Sequence, residues 1–230
     1  MHRSFEYDLE KLRTRLVRMG TLVEEQVEFA FRSLFEGNAE LARIVVERDD
    51  KVDKLDLKID KQCQRIFALQ QPVASDLRLL LAAVKINNEL ERIGDVAAGI
   101  ARQFLLQPDI SDMAAEFGLE RITQVAFRMV KSSLDSFINH DPELARQVLP
   151  ADDTVDTLER SIISDIIARM KTEVDFIESG VSLITIARRI ERMADHATNI
   201  AENVIFMFES KLVRHHRFDD EESEGSGVDE

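Results

Sequence analysis

Glu91 and Asp95 stand four residues apart in ERIGDVAAGIA, and Glu191 and Asp195 keep that spacing in ERMADHATNIA, a hundred positions later. Spacing four stacks two carboxylates on one helix face, their Cβ atoms about 6 Å apart. Like charges so placed cost a few tenths of a kcal/mol per pair (~0.2–0.5) unless something compensates. A second set has the same character: the row Asp49, Asp53, Asp56 returns as Asp152, Asp156, Glu159. Neighbouring helices that brought a pair from each set together would form an all-oxygen nest for a hard or borderline cation: Mg²⁺, Ca²⁺, Mn²⁺ or iron. Asn88 and Asn199 lie on or beside the same faces and would add carbonyl ligands. The plain alternative is a solvated acidic face, paired with Arg92 and Arg192 and duplicated without function. It explains poorly why two separate blocks each keep their acidic pairs while the outer-face residues around them diverge.

The elements that must carry these residues are helices. Turn signals are few: Gly37-Asn38, Gln71-Pro72, Gln107-Pro108-Asp109, Asn139-His140-Asp141-Pro142 and Ser179-Gly180. They cut the chain into six segments of roughly 30 residues, each with helical periodicity. Asn38, Ser75 and Asp141 suit N-caps, the last with proline at the first helical position. In the third segment Leu79, Ala83, Ile86, Leu90, Ile93, Ala97, Ile100 and Phe104 step by four and three. In the sixth, Leu183, Ile186, Ile190, Met193, Ala197, Ile200, Val204 and Met207 do the same. These are core seams of long antiparallel helices. Glu91, Asp95, Glu191 and Asp195 each precede a seam position by two, about 200° around the helix, so both pairs should point away from the core. The acids at 49, 53 and 56 each follow a seam position (Arg48, Val52, Leu55) by one and should border the apolar face, as should those at 152, 156 and 159.

The two halves are copies. Glu40–Ile59 lies on Glu143–Ile162 with 11 identities in 20, and Ile86–Ala101 on Ile186–Ala201 with 7 in 16. Two helical motifs recurring in one order imply a tandem duplication of a three-helix unit. The expected fold is therefore all-α: six long antiparallel helices forming two tandem three-helix bundles. The expected units are residues 1–107 and 108–214, followed by an acidic, disordered tail over 215–230.

Composition narrows function. Eight Gly, four Pro, no Trp and one Tyr leave little turn chemistry for a β-rich fold. A formal net charge of −14 argues against nucleic-acid and anionic-lipid partners and favours cationic partners or metals. The lone Cys63 forms no internal disulfide, as in a reducing cytoplasm. The longest apolar run, Leu79–Val84, is far short of a membrane span, so membrane contact would come only through a partner. A di-iron oxidase would need Glu-x-x-His pairs, and none occurs; nor does any G-x-x-x-x-G-K, G-x-G-x-x-G or G-x-S-x-G. His196 is expected at the surface. The chain reads as a non-enzyme.

The stretches PVASDLRLLLAAVKINNELERIGDVAAGIA and ARRIERMADHATNIAENV resemble the two signature helices of the PhoU family, bacterial regulators of phosphate uptake. The resemblance covers residues 3–212. It implies a cytoplasmic regulator that contacts the membrane complex and ATPase of a high-affinity phosphate ABC transporter and a PhoR-type sensor histidine kinase. In phosphate plenty such a protein holds uptake and the starvation response off. It also implies multinuclear clusters of divalent or trivalent metal ions, with Asp49, Asp53, Glu91 and Asp95 in one and Asp152, Asp156, Glu191 and Asp195 in the other. Iron, manganese, magnesium, calcium and zinc are not distinguished. Sister roles on the same fold would be an accessory of a low-affinity phosphate carrier or a metal-homeostasis protein. A second chain completing the outer-face carboxylates would make a homodimer. The sequence departs from the family pattern in the first half, where Gly99 stands opposite Asn199 and Arg102 opposite Glu202, which weakens the first site's outer ligands.

Overall fold

Sparse turn chemistry and apolar residues at helical spacing give long helices. The computed structural model describes residues 2–70, 72, 74–209, 213–214 and 217–218. Helices α1 (His2–Phe35), α2 (Ala39–Gln70) and α3 (Ala74–Leu106) precede a short α4 (Ile110–Glu116). Then follow α5 (Leu119–Asn139), α6 (Pro142–Met170) and α7 (Ile177–Glu209), the last entered through a 3₁₀ turn at Val174–Phe176. Beyond α7, Val213 and Arg214 pair antiparallel with Phe218 and Arg217. The rest of the expected tail over 215–230 lies outside the described residues. Among the described residues the architecture is all-α in class, as the sequence implies, with seven α-helices where six were expected.

Two of the junctions form as the turn residues dictate. Gly37 takes φ 63°, and the Asn38 N–H donates back to the Ser33 carbonyl, closing α1. The Asn38 side chain then accepts from the N–H groups of Glu40 (3.1 Å) and Leu41 (3.2 Å), opening α2. His140 (φ 57°) and Asp141 repeat this between α5 and α6, with Asp141 accepting from Leu144 N–H and Pro142 leading the helix. Ser75 is not a cap, because α3 already begins at Ala74.

The Ser179-Gly180 turn is also overturned. Both residues lie inside α7, and the chain reverses earlier, at Lys171–Glu173. Gly180 serves packing: a Cβ there would meet Met170 at 2.8 Å and Ile166 at 3.2 Å, so the glycine lets α6 and α7 approach. The unforeseen α4 follows from Gly118, whose φ of 72° breaks the segment after Phe117. The Ser111 hydroxyl ties α4 to the Leu34 carbonyl. Arg169 holds the same end of the molecule, paired with Glu116 at 3.0 Å and lying 4.5 Å over the Phe176 ring.

α3 packs against α1, α2 and α7, and α7 against α5, α6 and α3. Burial on both sides explains why the seams read from sequence are too narrow. Ala98 and Ala101 of α3, and Ala187, Ala194 and Ala201 of α7, are buried beside the seam residues. Small residues there allow the two helices to lie close.

Candidate metal centres

Each half sets two acid-bearing helices side by side: α2 against α3, and α6 against α7. In α2 the seam itself is partly acidic. Arg48 and Leu55 are only partly buried, and the buried row runs Val45, Asp49, Val52, Ile59, Cys63, Ile66, with Asp56 half-buried within it. The one-residue offset read from sequence was therefore wrong for Asp49, which is 8 % exposed rather than bordering the apolar face. Cys63 in the same row is inert: burial, with Asp60 adding, pushes its thiol up to about 12.

Asp49 is held by two groups. Arg102 donates from Nη2 to Oδ2 at 2.6 Å. The buried Gln26 amide spans Oδ1 (3.4 Å) and the carbonyls of Val45 (3.4 Å) and Gly94 (3.3 Å). Burial raises the Asp49 pKa, Arg102 opposes the rise, and Asp95 and Asp53 add to it. Glu91 is raised by burial first and then by Asp95, with Arg92 opposing from 3.9 Å and Asp56 and Asp53 reinforcing. Asp56 is raised by burial and by Asp60 while the Asn87 amide steadies its charged form at 2.6 Å. Five acids, at 49, 53, 56, 91 and 95, thus share one electrostatic neighbourhood. The asparagine that meets them is the buried Asn87; Asn88, chosen from sequence, is exposed.

The second half repeats the layout with Glu202 at the repeat position of Arg102. Glu191 is pushed up to about 7, by burial first and then by Asp195, Glu159, Asp156 and Asp152. Each of these influences acts upward. Asp152 accepts from the Thr198 hydroxyl at 3.2 Å, and Asp156 has Arg160 at 3.5 Å on the exposed side. Asn199 turns from the acids and donates to Glu89 of α3 at 3.3 Å. His196 is not at the surface: its Nδ1 sits 2.7 Å from Glu89 and its side chain is 13 % exposed. Glu191 and Glu91 are half-buried, so the expectation that these pairs point away from the core holds only for Asp95 and Asp195, which are exposed. The reason is that α2 and α6 cover the sides of α3 and α7 that a single-helix seam leaves open.

A hard-cation reading fits the donor set, since oxygens dominate and crowded carboxylates gain from added positive charge. Among the described residues, no three His, Cys, Asp or Glu side chains converge tightly enough to hold one ion. The acids form strips along facing helices. The guanidinium groups sit differently in the two halves: Arg102 is on the buried Asp49 at 2.6 Å, and Arg160 is on the more exposed Asp156 at 3.5 Å.

Comparison with known proteins shows the family and the fold. A family model described as PhoU domain matches residues 16–104 and again 119–204. A relative from Pseudomonas aeruginosa, named phosphate-specific transport system accessory protein PhoU homolog, is 36% identical over 212 residues, covering 92% of this chain and 88% of its own. The Escherichia coli protein named phosphate-specific transport system accessory protein PhoU is 33% identical over 211 residues, covering 92% and 88%. The crystal structure of PhoU from Pseudomonas aeruginosa superposes with a TM-score of 0.82 at 35% identity, over 90% of this chain and 100% of that one. That of the phosphate transport system regulatory protein PhoU from Streptococcus pneumoniae gives 0.83 at 28%, over 91% and 99%.

Proposed function

The chain belongs to the PhoU family, and from that premise we propose that it is an accessory protein of phosphate transport. In this reading it holds uptake and the phosphate-starvation response off when phosphate is plentiful, by touching other proteins rather than by catalysis. The partners we propose are the ATPase and membrane complex of a phosphate ABC transporter and a PhoR-type sensor kinase, met on the cytoplasmic side. No helix among the described residues is long and apolar enough to cross a membrane. Long helices leave extended faces for such contacts. The observation that carries the reading is coverage: likeness to named phosphate-transport accessory proteins runs through both motif helices and over 92% of the chain.

We further propose that metal ions are part of this surface. Asp152, Asp156, Glu191 and Asp195 would hold them, with Glu159 beside. Bound ions would supply positive charge to a face of like charges, making it able to meet an acidic partner. The residues do the rest. Thr198 donates to Asp152, and Glu191 lies half-buried among the other acids. Deleting the gene and measuring alkaline phosphatase in phosphate-rich medium tests the regulatory role. High expression despite plentiful phosphate is expected; unchanged expression would sink it.

A further inference from the structure

The two halves also meet along α1 and α5, away from the acid strips. These helices run antiparallel: the Arg13 guanidinium donates to the Ile138 carbonyl at 2.9 Å, and Lys131 meets Glu24 at 3.9 Å. Between those contacts Leu134 seats on Gly20, where a Cβ would lie 2.9 Å from Leu134 Cδ2. Toward the end of α1 and the start of α5 the helices part and leave a groove of about 410 Å³. The repeat gives the reason. It pairs Gly20 with Thr123, Leu134 with Phe31, Glu24 with Phe127 and Lys131 with Glu28. On one side of the crossing a glycine admits a leucine and a lysine bridges to a glutamate. On the other, the glycine and the lysine are both absent, and Thr123, Phe31, Phe127 and Glu28 line the groove instead. Its wall is aromatic: Phe31 is buried, and Phe35 and Phe127 are half-buried. Its mouth is acidic. Glu28, Glu36 and Glu120 are exposed there with one cation, Arg32, which lies 2.9 Å from Glu36 and 3.8 Å from Glu28. Three carboxylates against one guanidinium leave the lining net acidic.

We propose, resting on the accessory-protein reading above, that the groove between α1 and α5 receives a basic amphipathic helix of a partner protein. Apolar side chains of that helix, spaced by three and four, lie on Phe31, Phe35 and Phe127, and its lysines or arginines reach Glu28, Glu36 and Glu120. The volume falls within the roughly 300–1,000 Å³ of pockets that bury a ligand. Charge argues against two other occupants. Residues 215–230 of this chain carry seven acids and one arginine, and a second copy brings a net charge of −14.

The probe is a fluorescent Leu/Lys amphipathic peptide of about 18 residues, long enough to form a helix, read by anisotropy against the full-length protein at about 0.15 M salt. Wild type should bind it at one saturable site and should not bind the Leu/Glu counterpart. Glu28→Lys with Glu120→Lys, both exposed positions, should weaken binding roughly tenfold. Phe127→Ala should do the same, with thermal melting to check its fold. Asp50→Lys with Asp165→Lys, equal in charge but exposed on α2 and α6, should weaken it less than about twofold. Benzophenone attached through Gln124→Cys should cross-link the peptide, and attached through Asp165→Cys should not; Cys63 is buried and stays unlabelled. Absent binding, or equal losses from the two charge reversals, overturns the proposal. So does a cross-link from position 124 to a second copy, or to residues 210–230, in place of the peptide. In phosphate-rich cells Glu28→Lys with Glu120→Lys should raise alkaline phosphatase as gene deletion does. A high level in the deletion with a low one in the variant sinks the groove and leaves the accessory reading standing. A low level in both sinks the accessory reading, and the peptide result then decides the groove by itself.

Discussion

The two carboxylate clusters come from one ancestral segment, yet they now stand in different electrostatic company. Around Asp49 the fold supplies Arg102 at 2.6 Å and the buried Gln26 amide. Around Glu191 it supplies burial and four more acids. The equivalent of Gln26 in the second half is Met129, buried and apolar. The comparison teaches that a duplicated motif keeps its spacing more readily than its surroundings, and that the surroundings decide what cation the motif needs. An arginine side chain is a permanent, covalently attached cation.

The largest effect expected is on metal-linked stability. A ligand present at 100 times its Kd stabilises the folded state by about 2.7 kcal/mol, roughly 5–10 °C in a chain of this size. Thermal melts of the metal-stripped protein with and without Mn²⁺ should show that rise. Glu191→Gln with Asp195→Asn should erase it, and Asp53→Asn with Asp95→Asn should leave it intact. Equal losses from both double variants would break the comparison.

Next in size is Arg102→Ala, which strips Asp49 of its strongest partner. Water reaches the half-exposed guanidinium position, which limits the cost to about 1–2 kcal/mol. Urea denaturation of the metal-free protein measures it. In the second half Thr198→Val removes the donor to Asp152 and should cost less, about 0.5–1 kcal/mol. A reversed order would mean that Arg102 is only a surface pairing.

A pH series sharpens the contrast further. Folded, Glu191 keeps its proton to about 7; unfolded, it releases it near 4.5. The stability it contributes is therefore fully present below 4.5 and is lost as pH rises through 7. Metal-free wild type should weaken relative to Glu191→Gln across that window, read from urea midpoints. A constant difference between the two would show that the second cluster's charges are not coupled in the way described.

The smallest effects concern the matched caps. Asn38→Ala and Asp141→Ala each remove a side chain that accepts helix N–H groups, and each should cost about 0.5–1 kcal/mol. Here the halves should agree, which makes the pair a control on the differences above.

Much of this was legible in the sequence, for physical reasons. Local rules fixed the helices, because Asn38 and Asp141 act on atoms two or three residues away and apolar spacing needs only one helix to be seen. The acidic sets were found by their spacing, and Arg102 and Gly99 stood out as departures within the repeat. What stayed hidden depends on several helices at once. Asp49 is buried because α1 lays Gln26 over it, and nothing in the spacing of α2 reports that. Asn87 rather than Asn88 meets Asp56 because of how α2 and α3 are rotated together. His196 was placed at the surface because the α3 face bearing Glu89 was out of view. Gly180 was mistaken for a turn, since glycine marks a close helix contact as well as it marks a reversal.

The central claim, that the second copy of the motif holds metal while Arg102 stays on Asp49 in the first, is tested most directly by anomalous diffraction. Crystals of the full-length protein soaked in Mn²⁺ would be measured at wavelengths on either side of the manganese absorption edge. The account predicts anomalous peaks between α6 and α7 beside Glu191 and Asp195, with Arg102 still on Asp49. Peaks between α2 and α3 beside Asp49 and Asp95, with Arg102 displaced, would contradict it.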